Sequence, residues 1–244
     1  MLLTYVAHTV THILLIFNGG DGKMRGHLLL AVLLIAISSF GCAQASTIYV
    51  PADYAKIQWA VDNASDGDTI VVRDGIYYES VTVSKHLTIK SENGSENCIV
   101  NGGGSDVFTL KADGIRIEGF TITGGLNGIY IRSNNNTIIN NSISNNWFGI
   151  FLDDSNNNII SNNEFINDGL LVYDSYGNIV EDNKVNGKPL VYLENESDKI
   201  IDNAGQIILV RCSNITVMNA ELTNTDIGIE LLQSDNCLNF KQHN

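Results

Sequence analysis

Acidic side chains are the residues of this chain with the clearest capacity for chemistry, and three of them recur at one corner of a repeated segment. Asp153 and Asp154 form an adjacent acidic pair, and Asp174 occupies the corresponding corner of the next copy. Oxygen ligands stacked in a column, roughly 4.8 Å apart along the axis, suit a hard cation such as Ca²⁺. We therefore take Asp153, Asp154 and Asp174, with Asn195 nearby, as a candidate weak calcium site. A solvated acidic corner is the alternative.

The same carboxylates do not make a catalytic set. A glycoside hydrolase needs two carboxyl groups at a suitable separation to act as acid and base. A polysaccharide lyase needs a base together with a cation or an arginine that stabilises the developing charge. No Gly-His-Gly motif follows Asp153 and Asp154, and no arginine pair has the spacing that pectate lyases use. The sequence therefore predicts no catalytic residue and no enzyme activity.

Soft metal ligands are sparse and scattered. A copper site is built from His, Met or Cys side chains. Beyond the N-terminal leader described below, those that remain are far apart in sequence: His86, Met218, His243, Cys98, Cys212 and Cys237. The sequence therefore predicts no copper site, and three cysteines without close spacing make no disulfide framework.

A column of apolar side chains is the most suggestive surface feature. In each copy of the repeat, the position between two buried aliphatic residues points outward, and its occupants are Tyr130, Phe151, Leu171 and Tyr192. Exposed aromatic strips stack against sugar rings or contact other proteins. We interpret this column as a candidate ligand-binding face. The alternative is that outward neighbours stack on each other to stabilise the sheet.

These side chains are positioned by a repeat of 20 to 22 residues that runs between Gly128 and Asn203. A unit this short cannot bury an independent core, so neighbouring copies must stack. Aliphatic residues stand one and three positions after each glycine, as Ile129 and Ile131 do after Gly128, which is the alternation of a strand with one buried face. No helical stripe runs through the region. The pattern therefore predicts a parallel β-helix.

A second short strand follows an asparagine-rich corner in each copy. Superposing the copies predicts one continuous interior file of Ile138, Ile159, Ile179 and Ile200. The Asn runs at 134–136 and 156–158 mark corners that need left-handed backbone angles, which Asn tolerates better than other non-glycine residues. Stacked Asn side chains in successive coils are expected to hydrogen-bond one another along the axis.

The N-terminal part of the chain does not share this repeat. Basic residues at 23 and 25, an apolar run at 28–37 and the small-x-small sequence at 43–45 predict a secretory signal peptide. We interpret residues 1–45 as leader and signal peptide, with Met24 as the candidate true start. Residues 46–244 then form the exported β-helix domain, secreted or held at the cell surface or in a periplasm-like space.

At the far end, another cycle of the repeat begins at Gly228 and the sequence shows no amphipathic cap after it. A solenoid needs a polar cap, because an open end exposes strand edges that pair with other chains. We therefore expect a truncated reading frame, end-to-end self-association or a marginally stable terminus.

Charge and modification motifs restrict the partners. The formal net charge is −13 without a clustered basic patch, which argues against nucleic-acid binding. Asn-x-Ser/Thr sequons are consistent with an exported, glycosylated protein. They lie at Asn63, Asn93, Asn135, Asn140, Asn195 and Asn214.

Residues 54–64 carry a helical periodicity, with apolar residues recurring at three and four positions. A short helix here is suited to plug the open bottom of the coil. The segment Tyr54-x-x-Ile57-Gln58-x-Ala60-Val61-x-x-Ala64-x-x-Gly67-Asp68-Thr69-Ile70-x-Val72-x-x-Gly75-x-Tyr77 resembles the entry cap of pectin-lyase-like right-handed β-helices.

Together with the Asn-rich repeats, residues 47–238 resemble the NosD-like β-helix family, and the stretch 186–195 is similar to a recurrent segment of that family. The family includes periplasmic copper-binding proteins, carbohydrate-binding and sugar-hydrolase repeat domains, and archaeal cell-surface proteins. The resemblance implies an all-β, right-handed parallel β-helix formed by a single chain, with a short N-terminal capping α-helix. Copper is implied by this resemblance alone.

Three functions from different classes remain open. The favoured one is an exported, non-catalytic β-helix of the cell surface or envelope that needs no cofactor and binds glycans or envelope proteins through its outer face. A NosD-like accessory role in copper delivery is the first alternative, and a polysaccharide lyase or hydrolase is the second.

Overall fold

The computed structural model describes residues 44–237, which form one short helix and a series of short strands. The predicted signal peptide, the alternative start at Met24 and His243 lie outside the described residues. Within residues 44–237, no helix has the length and apolar character needed to cross a membrane. The elements in chain order are β1 (Thr47–Val50), α1 (Ile57–Asn63), β2 (Thr69–Val72), β3 (Gly75–Tyr78), β4 (Val81–Val83), β5 (Thr88–Ser91), β6 (Cys98–Asn101), β7 (Phe108–Leu110), β8 (Arg116–Glu118), β9 (Thr121–Thr123), β10 (Asn127–Ile131), β11 (Thr137–Ile139), β12 (Ser142–Ser144), β13 (Phe148–Asp153), β14 (Ile159–Ser161), β15 (Glu164–Ile166), β16 (Leu170–Tyr173), β17 (Ile179–Glu181), β18 (Lys184–Val185), β19 (Lys188–Glu194), β20 (Ile200–Asp202), β21 (Gln206–Val210), β22 (Thr216–Met218) and β23 (Ile229–Leu232).

Three sheets wrap around one elongated core. Each coil contributes one strand to each sheet, and each strand pairs in parallel with its equivalent in the next coil. Alternate side chains therefore stack in buried files, such as Ile129, Ile150 and Leu170. The predicted all-β parallel β-helix is confirmed. Sheet A holds β1, β2, β5, β8, β11, β14 and β17, sheet C holds β4, β7, β10, β13 and β16, and sheet B begins with β3, β6, β9, β12, β15 and β18.

The predicted interior file of isoleucines is wrong beyond its first member. Ile138 is fully buried and pairs with Ile160, whereas Ile159 and Ile179 are 37% and 52% exposed in the outward file that also contains Thr137. Ile200 is 65% exposed on a separate two-stranded sheet. A shift of one residue moves a strand side chain to the opposite face of its sheet. Ile160 therefore faces the core beside Ile138, and Ile159 faces outward.

The shift has its origin in the corner that leads from sheet C to sheet A. Asp154 and Asp174 each add one residue to this corner, in left-handed conformation with φ of 50° and 42°. The coil that contains Gly128 has no such residue between Arg132 and Ser133. Copies superposed on their glycines are therefore out of register after the corner, while copies superposed on Asn136 and Asn158 are in register.

Asparagine side chains form the predicted ladders along the axis. Asn136 donates its backbone N–H and its Nδ2 to Asn158 Oδ1, both at 2.9 Å. Asn158 makes the same two contacts with Asn178 at 2.9 and 3.0 Å. A second ladder lies at the corner that comes after each strand of sheet A, and it is formed by Asn141, Asn163 and Asn183. In the Asn-Asn pairs the first residue turns the chain, as Asn135 and Asn140 do with φ of 59°, and the second bonds the next coil.

The N-terminal end of the core is closed by α1, as predicted. Ile57, Ala60 and Val61 on one face of this helix are buried in the main core. The carboxylate of Glu79 accepts the N–H groups of Ile57 and Gln58 at 3.0 and 3.1 Å. A carboxylate at this position satisfies amide groups that have no partner inside the helix.

The chain reverses direction after β18. Asn186 and Gly187 have φ of 51° and 79° and form a two-residue turn, after which β19 pairs antiparallel with β18. Asn-Gly is the sequence that two-residue hairpin turns favour, because both residues need positive φ. From this turn, β19, β21 and β23 continue sheet B, while β20 and β22 form the two-stranded sheet D.

The reversed strands cover the C-terminal end of the solenoid. Ile208 and Val210 of β21 pack into the main core, whereas Ile207 and Leu209 pack into a second, smaller core with sheet D. All five residues of β21 are buried. The coils before β18 are thus covered by a reversed sheet and not by an amphipathic helix. The expectation for the end of the chain concerns the cycle that begins at Gly228, and it stays a prediction.

Side chains from this cap also satisfy the terminal strand of sheet C. Gln206 Oε1 accepts the Leu170 N–H at 3.0 Å, and Gln206 Nε2 donates to the Leu170 carbonyl at 2.8 Å. The carboxylate of Glu230 accepts the Val172 N–H at 3.1 Å. Asp226 Oδ2 accepts the N–H groups of Gly149 and Gly169 at 2.9 and 3.0 Å. The edge of β16 is thereby closed by acceptors from β21, β23 and the loop between them.

Candidate functional site

The outer face of sheet C carries three of the four residues predicted to form an apolar column. Tyr130 of β10 pairs in register with Phe151 of β13, and Phe151 pairs in register with Leu171 of β16. The rings of Tyr130 and Phe151 have centroids 5.4 Å apart and are tilted by 35°. All three side chains are half-buried, because each is partly covered by its neighbours in the file.

The apolar surface extends to residues that sequence reasoning missed. Phe148 begins β13, and its ring centroid lies 6.0 Å from that of Phe151. Trp147 directly precedes it and is 72% exposed, and Leu126 in the coil before is 52% exposed. Backbone bonds hold these residues in place, since the Phe148 N–H donates to the Leu126 carbonyl at 2.9 Å. We call Leu126, Tyr130, Trp147, Phe148, Phe151 and Leu171 the sheet C patch.

The signal for this extension was present in the sequence. Trp147 and Phe148 follow Asn145 and Asn146 at a corner. In the next coil, Asn167 and Asp168 correspond to Asn145 and Asn146, and Gly169 follows them directly, so this coil has no counterpart of the two aromatic residues. The predicted column contains only positions after the glycine, whereas these two aromatic residues stand immediately before Gly149.

One border of the sheet C patch is polar and internally bonded. The Tyr130 hydroxyl donates to Asp153 Oδ2 at 2.5 Å, and Arg132 Nε lies 3.3 Å from the same oxygen. Burial, followed by the hydrogen bond to Asp153, raises the pKa of Tyr130 above its ordinary value. Tyr130 therefore stays protonated at neutral pH and acts as a donor rather than as a base.

The opposite border carries a second acidic group. Asp106 Oδ1 accepts the backbone N–H and the Nδ2 of Asn127 at 3.2 and 2.7 Å. Asp106 Oδ2 is 3.4 Å from the Thr109 hydroxyl, and Thr109 is the residue in register with Tyr130. An aromatic surface with carboxylates on both borders can stack against a flat apolar face while accepting hydrogen bonds from hydroxyl groups.

The placement of Tyr192 in this column is wrong. Tyr192 lies in β19, where its register partner is Ile208, and its side chain packs against the main core. Its hydroxyl donates to Glu194 Oε2 at 2.8 Å. The turn at Asn186 and Gly187 reverses the chain, so β19 covers the end of the solenoid instead of adding a fourth strand to the column.

The three aspartates of the candidate calcium site are only partly brought together. Asp154 and Asp174 occupy equivalent exposed corners, and the Asp154 N–H donates to the Tyr173 carbonyl at 3.1 Å. Asp153 is bonded to Tyr130 and Arg132 instead. Nowhere in residues 44–237 do three His, Cys, Asp or Glu side chains converge as metal ligands would. The geometry therefore gives the calcium hypothesis no support.

The sequence of this solenoid matches a known protein family. A family model described as periplasmic copper-binding protein (NosD) matches residues 61–239, which is well over half of the chain. The chain belongs to the NosD family. This match includes the last residues of α1, the solenoid strands β2 to β18 and the reversed cap, and it leaves out β1.

One relative by sequence and one solved structure are similar to this NosD-family chain. A cell surface glycoprotein of Methanothermus fervidus is 44% identical over 130 residues, a match that covers 50% of this chain and 21% of the glycoprotein. The chain thus spans about a fifth of the length of that relative. The crystal structure of an alginate lyase from a Paenibacillus species superposes with a TM-score of 0.52 at 22% identity, over 79% of this chain and 75% of the lyase chain. At that identity the likeness concerns the fold alone.

The family description raises the question of copper, and the described residues do not fit it. Cys98 is fully buried in the main core, and burial raises the pKa of its thiol to about 12. Copper binds thiolate rather than thiol. His86 is exposed at a corner and Met218 lies in sheet D. Within residues 44–237 no three His, Cys, Asp or Glu side chains converge as metal ligands would, and no step of the proposed function involves copper.

Proposed function

We propose that this NosD-family chain is a module of the cell surface or envelope that binds carbohydrate through the sheet C patch, without a catalytic activity or cofactor of its own. One observation carries the proposal: a contiguous aromatic surface with a polar border lies on the outside of a regular solenoid. A surface location is supported by the similarity to a cell surface glycoprotein.

The composition of the patch favours a sugar over an apolar protein surface. Pyranose rings offer C–H faces that stack on aromatic rings, while their hydroxyl groups need hydrogen-bond partners at the border of the contact. Trp147 and Phe148 provide the faces, and Asp153, Arg132 and Asp106 provide the donors and acceptors. An envelope protein is the alternative partner, and it would use the same aromatic residues with less dependence on the charged ones.

The hydrogen bonds that these charged groups already make support the proposal of a non-catalytic role. A carboxylate that acts as general acid or base must be free to exchange a proton with the substrate. Asp153 already accepts from Tyr130 and faces Arg132, and Tyr130 is held protonated. Asp106 is likewise bonded to Asn127. Each of these groups is suited to hold a sugar in place and none is poised to cleave it.

A glycan array probed with the exported chain tests this proposal. We expect binding to a defined set of polysaccharides, and a loss of at least about tenfold in affinity on Trp147→Ala or Phe151→Ala, since stacking contacts contribute about 1.4 kcal/mol or more. Trp59→Ala is the matched control, because Trp59 is also exposed but lies on α1. Absence of glycan binding, or equal losses for Trp147→Ala and Trp59→Ala, would contradict the proposal, and oligosaccharide release would contradict its non-catalytic part.

A further inference from the structure

The six sequons differ in the state of their asparagine side chains. All six asparagines are exposed. In three of them the amide Nδ2 is already a hydrogen-bond donor: Asn63 to Trp59 O at 2.8 Å, Asn93 to Asp74 Oδ1 at 3.0 Å and Asn214 to Asp198 Oδ1 at 2.6 Å. At Asn135, Asn140 and Asn195, no group among the described residues bonds the side chain, and only the backbone N–H is engaged.

The unbonded asparagines share one backbone geometry. Asn135, Asn140 and Asn195 all occupy left-handed corners, with φ of 59°, 59° and 57°. At the first two, the next residue, Asn136 or Asn141, is the one that turns inward to form the ladder. In these Asn-Asn pairs the second side chain bonds the next coil. The first side chain lies on the outside of the coil and makes no hydrogen bond to the described residues.

We propose that Asn135, Asn140 and Asn195 are N-glycosylation sites, and that the other three sequons are disfavoured in the folded chain. The donor is an oligosaccharide carried on a lipid phosphate or pyrophosphate. The amide nitrogen of the asparagine forms a bond to C1 of the first sugar, the bond from C1 to the phosphate oxygen breaks, and the amide loses one proton as the lipid phosphate leaves.

The position of two of these sites on the solenoid supports a protective role. Asn135 and Asn140 flank β11, so both lie at the borders of the outer face of sheet A. In the same outward file as Thr137, the next two coils expose Ile159 and Ile179. Glycans attached beside β11 would cover these exposed isoleucines, whereas the sheet C patch, on another face, stays open for binding.

The neighbouring coil provides a matched site without a sequon. Asn157 has φ of 57°, is exposed and stands directly before the ladder residue Asn158, as Asn135 stands before Asn136. It differs in the residue two positions later, which is Ile159 instead of Thr137. Since Thr137 and Ile159 pair in register on the outer face, exchanging their side-chain types leaves the core untouched.

The test is mass spectrometry of glycopeptides from the exported chain, purified from the envelope of its own cells together with the variants Thr137→Val and Ile159→Thr. We expect a glycan at Asn135, Asn140 and Asn195 in most molecules, loss of the glycan at Asn135 in Thr137→Val, and a new glycan at Asn157 in Ile159→Thr. Circular dichroism confirms that both variants fold. Unmodified Asn135 and Asn140 would overturn the proposal. Equal occupancy at Asn63, Asn93 and Asn214 would overturn the selection by side-chain bonding.

Discussion

Gln58 and Gln206 lie at opposite ends of sheet C, and each pairs its side-chain amide with both backbone groups of one residue in the terminal strand. Gln58 Oε1 accepts the Thr82 N–H at 2.7 Å, and Gln58 Nε2 donates to the Thr82 carbonyl at 3.2 Å. Gln206 makes the equivalent pair with Leu170. A primary amide carries the same donor and acceptor as a peptide group, so each glutamine completes the ladder as another strand would.

Replacing Gln206 by Met tests this closure. The side chain of Gln206 is fully buried, so Gln206→Met keeps its approximate volume and leaves the N–H and carbonyl of Leu170 without partners. We expect the free energy of unfolding to fall by about 2–4 kcal/mol, measured by urea denaturation. Gln233→Met, at an exposed glutamine, is expected to change it by less than about 0.5 kcal/mol. Similar effects of the two substitutions would show that the pairing with Leu170 does not matter.

Asp168 interrupts an asparagine ladder at the coil next to the cap. It is fully buried and accepts from Asn146 Nδ2 at 2.7 Å, in the position that asparagine holds in the other ladders. Burial is the main cause that raises its pKa to about 6, and the neighbouring carboxylate of Asp226 adds to the effect. Asp168→Asn keeps the acceptor and removes a buried charge, so we expect the variant to be more stable by about 1–2 kcal/mol at pH 8. Loss of stability at pH 8 would contradict this expectation.

Stability should therefore fall as pH rises, which is the opposite of the behaviour of salt-bridged carboxylates. Burial raises the pKa of Glu230 to about 7 and raises that of Asp226 as well, while the N–H groups of Val172 and of Gly149 and Gly169 oppose the shift. In the unfolded chain these groups titrate near pH 4. Their stabilising contribution is full below about pH 4 and is lost as pH rises through the folded pKa values.

The measurement is hydrogen exchange of the β16 and β21 amides between pH 5 and pH 8, after correction for the intrinsic exchange rate. We expect protection of these amides to decrease toward pH 8, and Glu230→Gln to weaken this dependence, because Gln keeps an acceptor for Val172 without a charge. Amides of β8, which is several coils away from the cap, serve as the internal reference. A cap whose protection increases toward pH 8 would rule out the role of these carboxylates.

Much of this fold was predictable because the interior repeats with a fixed period. The alternation at Ile129 and Ile131 recurs in every coil of sheet C, and stacking is the only way in which such short strands can bury one face. The left-handed corners were predictable for a similar reason, since Asn is the non-glycine residue that enters this conformation most easily. The alternation and the left-handed corners each depend on residues within one coil, so both recur wherever the sequence repeats.

The remaining features depend on single residues that break the period. Asp154 adds one position to a corner, and Asn186 with Gly187 reverses the chain, so the predicted file of Ile159 and Ile179 and the predicted place of Tyr192 were both wrong. The sequence signal for the turn is the dipeptide Asn186-Gly187 itself. It occurs once and is not part of the repeat pattern from which the strands were predicted. Trp147 stands before Gly149, outside the positions after the glycine that the predicted column compares.

The asparagine ladders should contribute to stability through their second residue alone. Asn158 is fully buried and bonds Asn136 on one side and Asn178 on the other, whereas the neighbouring Asn157 is exposed. We expect Asn158→Ala to lower the free energy of unfolding by about 2–4 kcal/mol, because it leaves buried amide groups without partners. Asn157→Gly is expected to change it by less than about 1 kcal/mol, since glycine also accepts positive φ. Thermal denaturation of the two variants distinguishes the roles, and a larger effect of Asn157→Gly would refute them.

The one-residue register difference in sheet A can be tested with two adjacent isoleucines of β14. Ile160 is fully buried and stacks on Ile138, so Ile160→Ser leaves a cavity and places a hydroxyl in the core, and we expect a loss of more than about 3 kcal/mol. Ile159 faces outward beside Thr137, and Ile159→Ser is expected to cost less than about 1 kcal/mol. Urea denaturation of both variants decides between the two registers. If Ile159→Ser were the more damaging substitution, the file would run through Ile159 and the corner at Asp154 would not add a residue, because only one of two neighbouring strand residues can face the core.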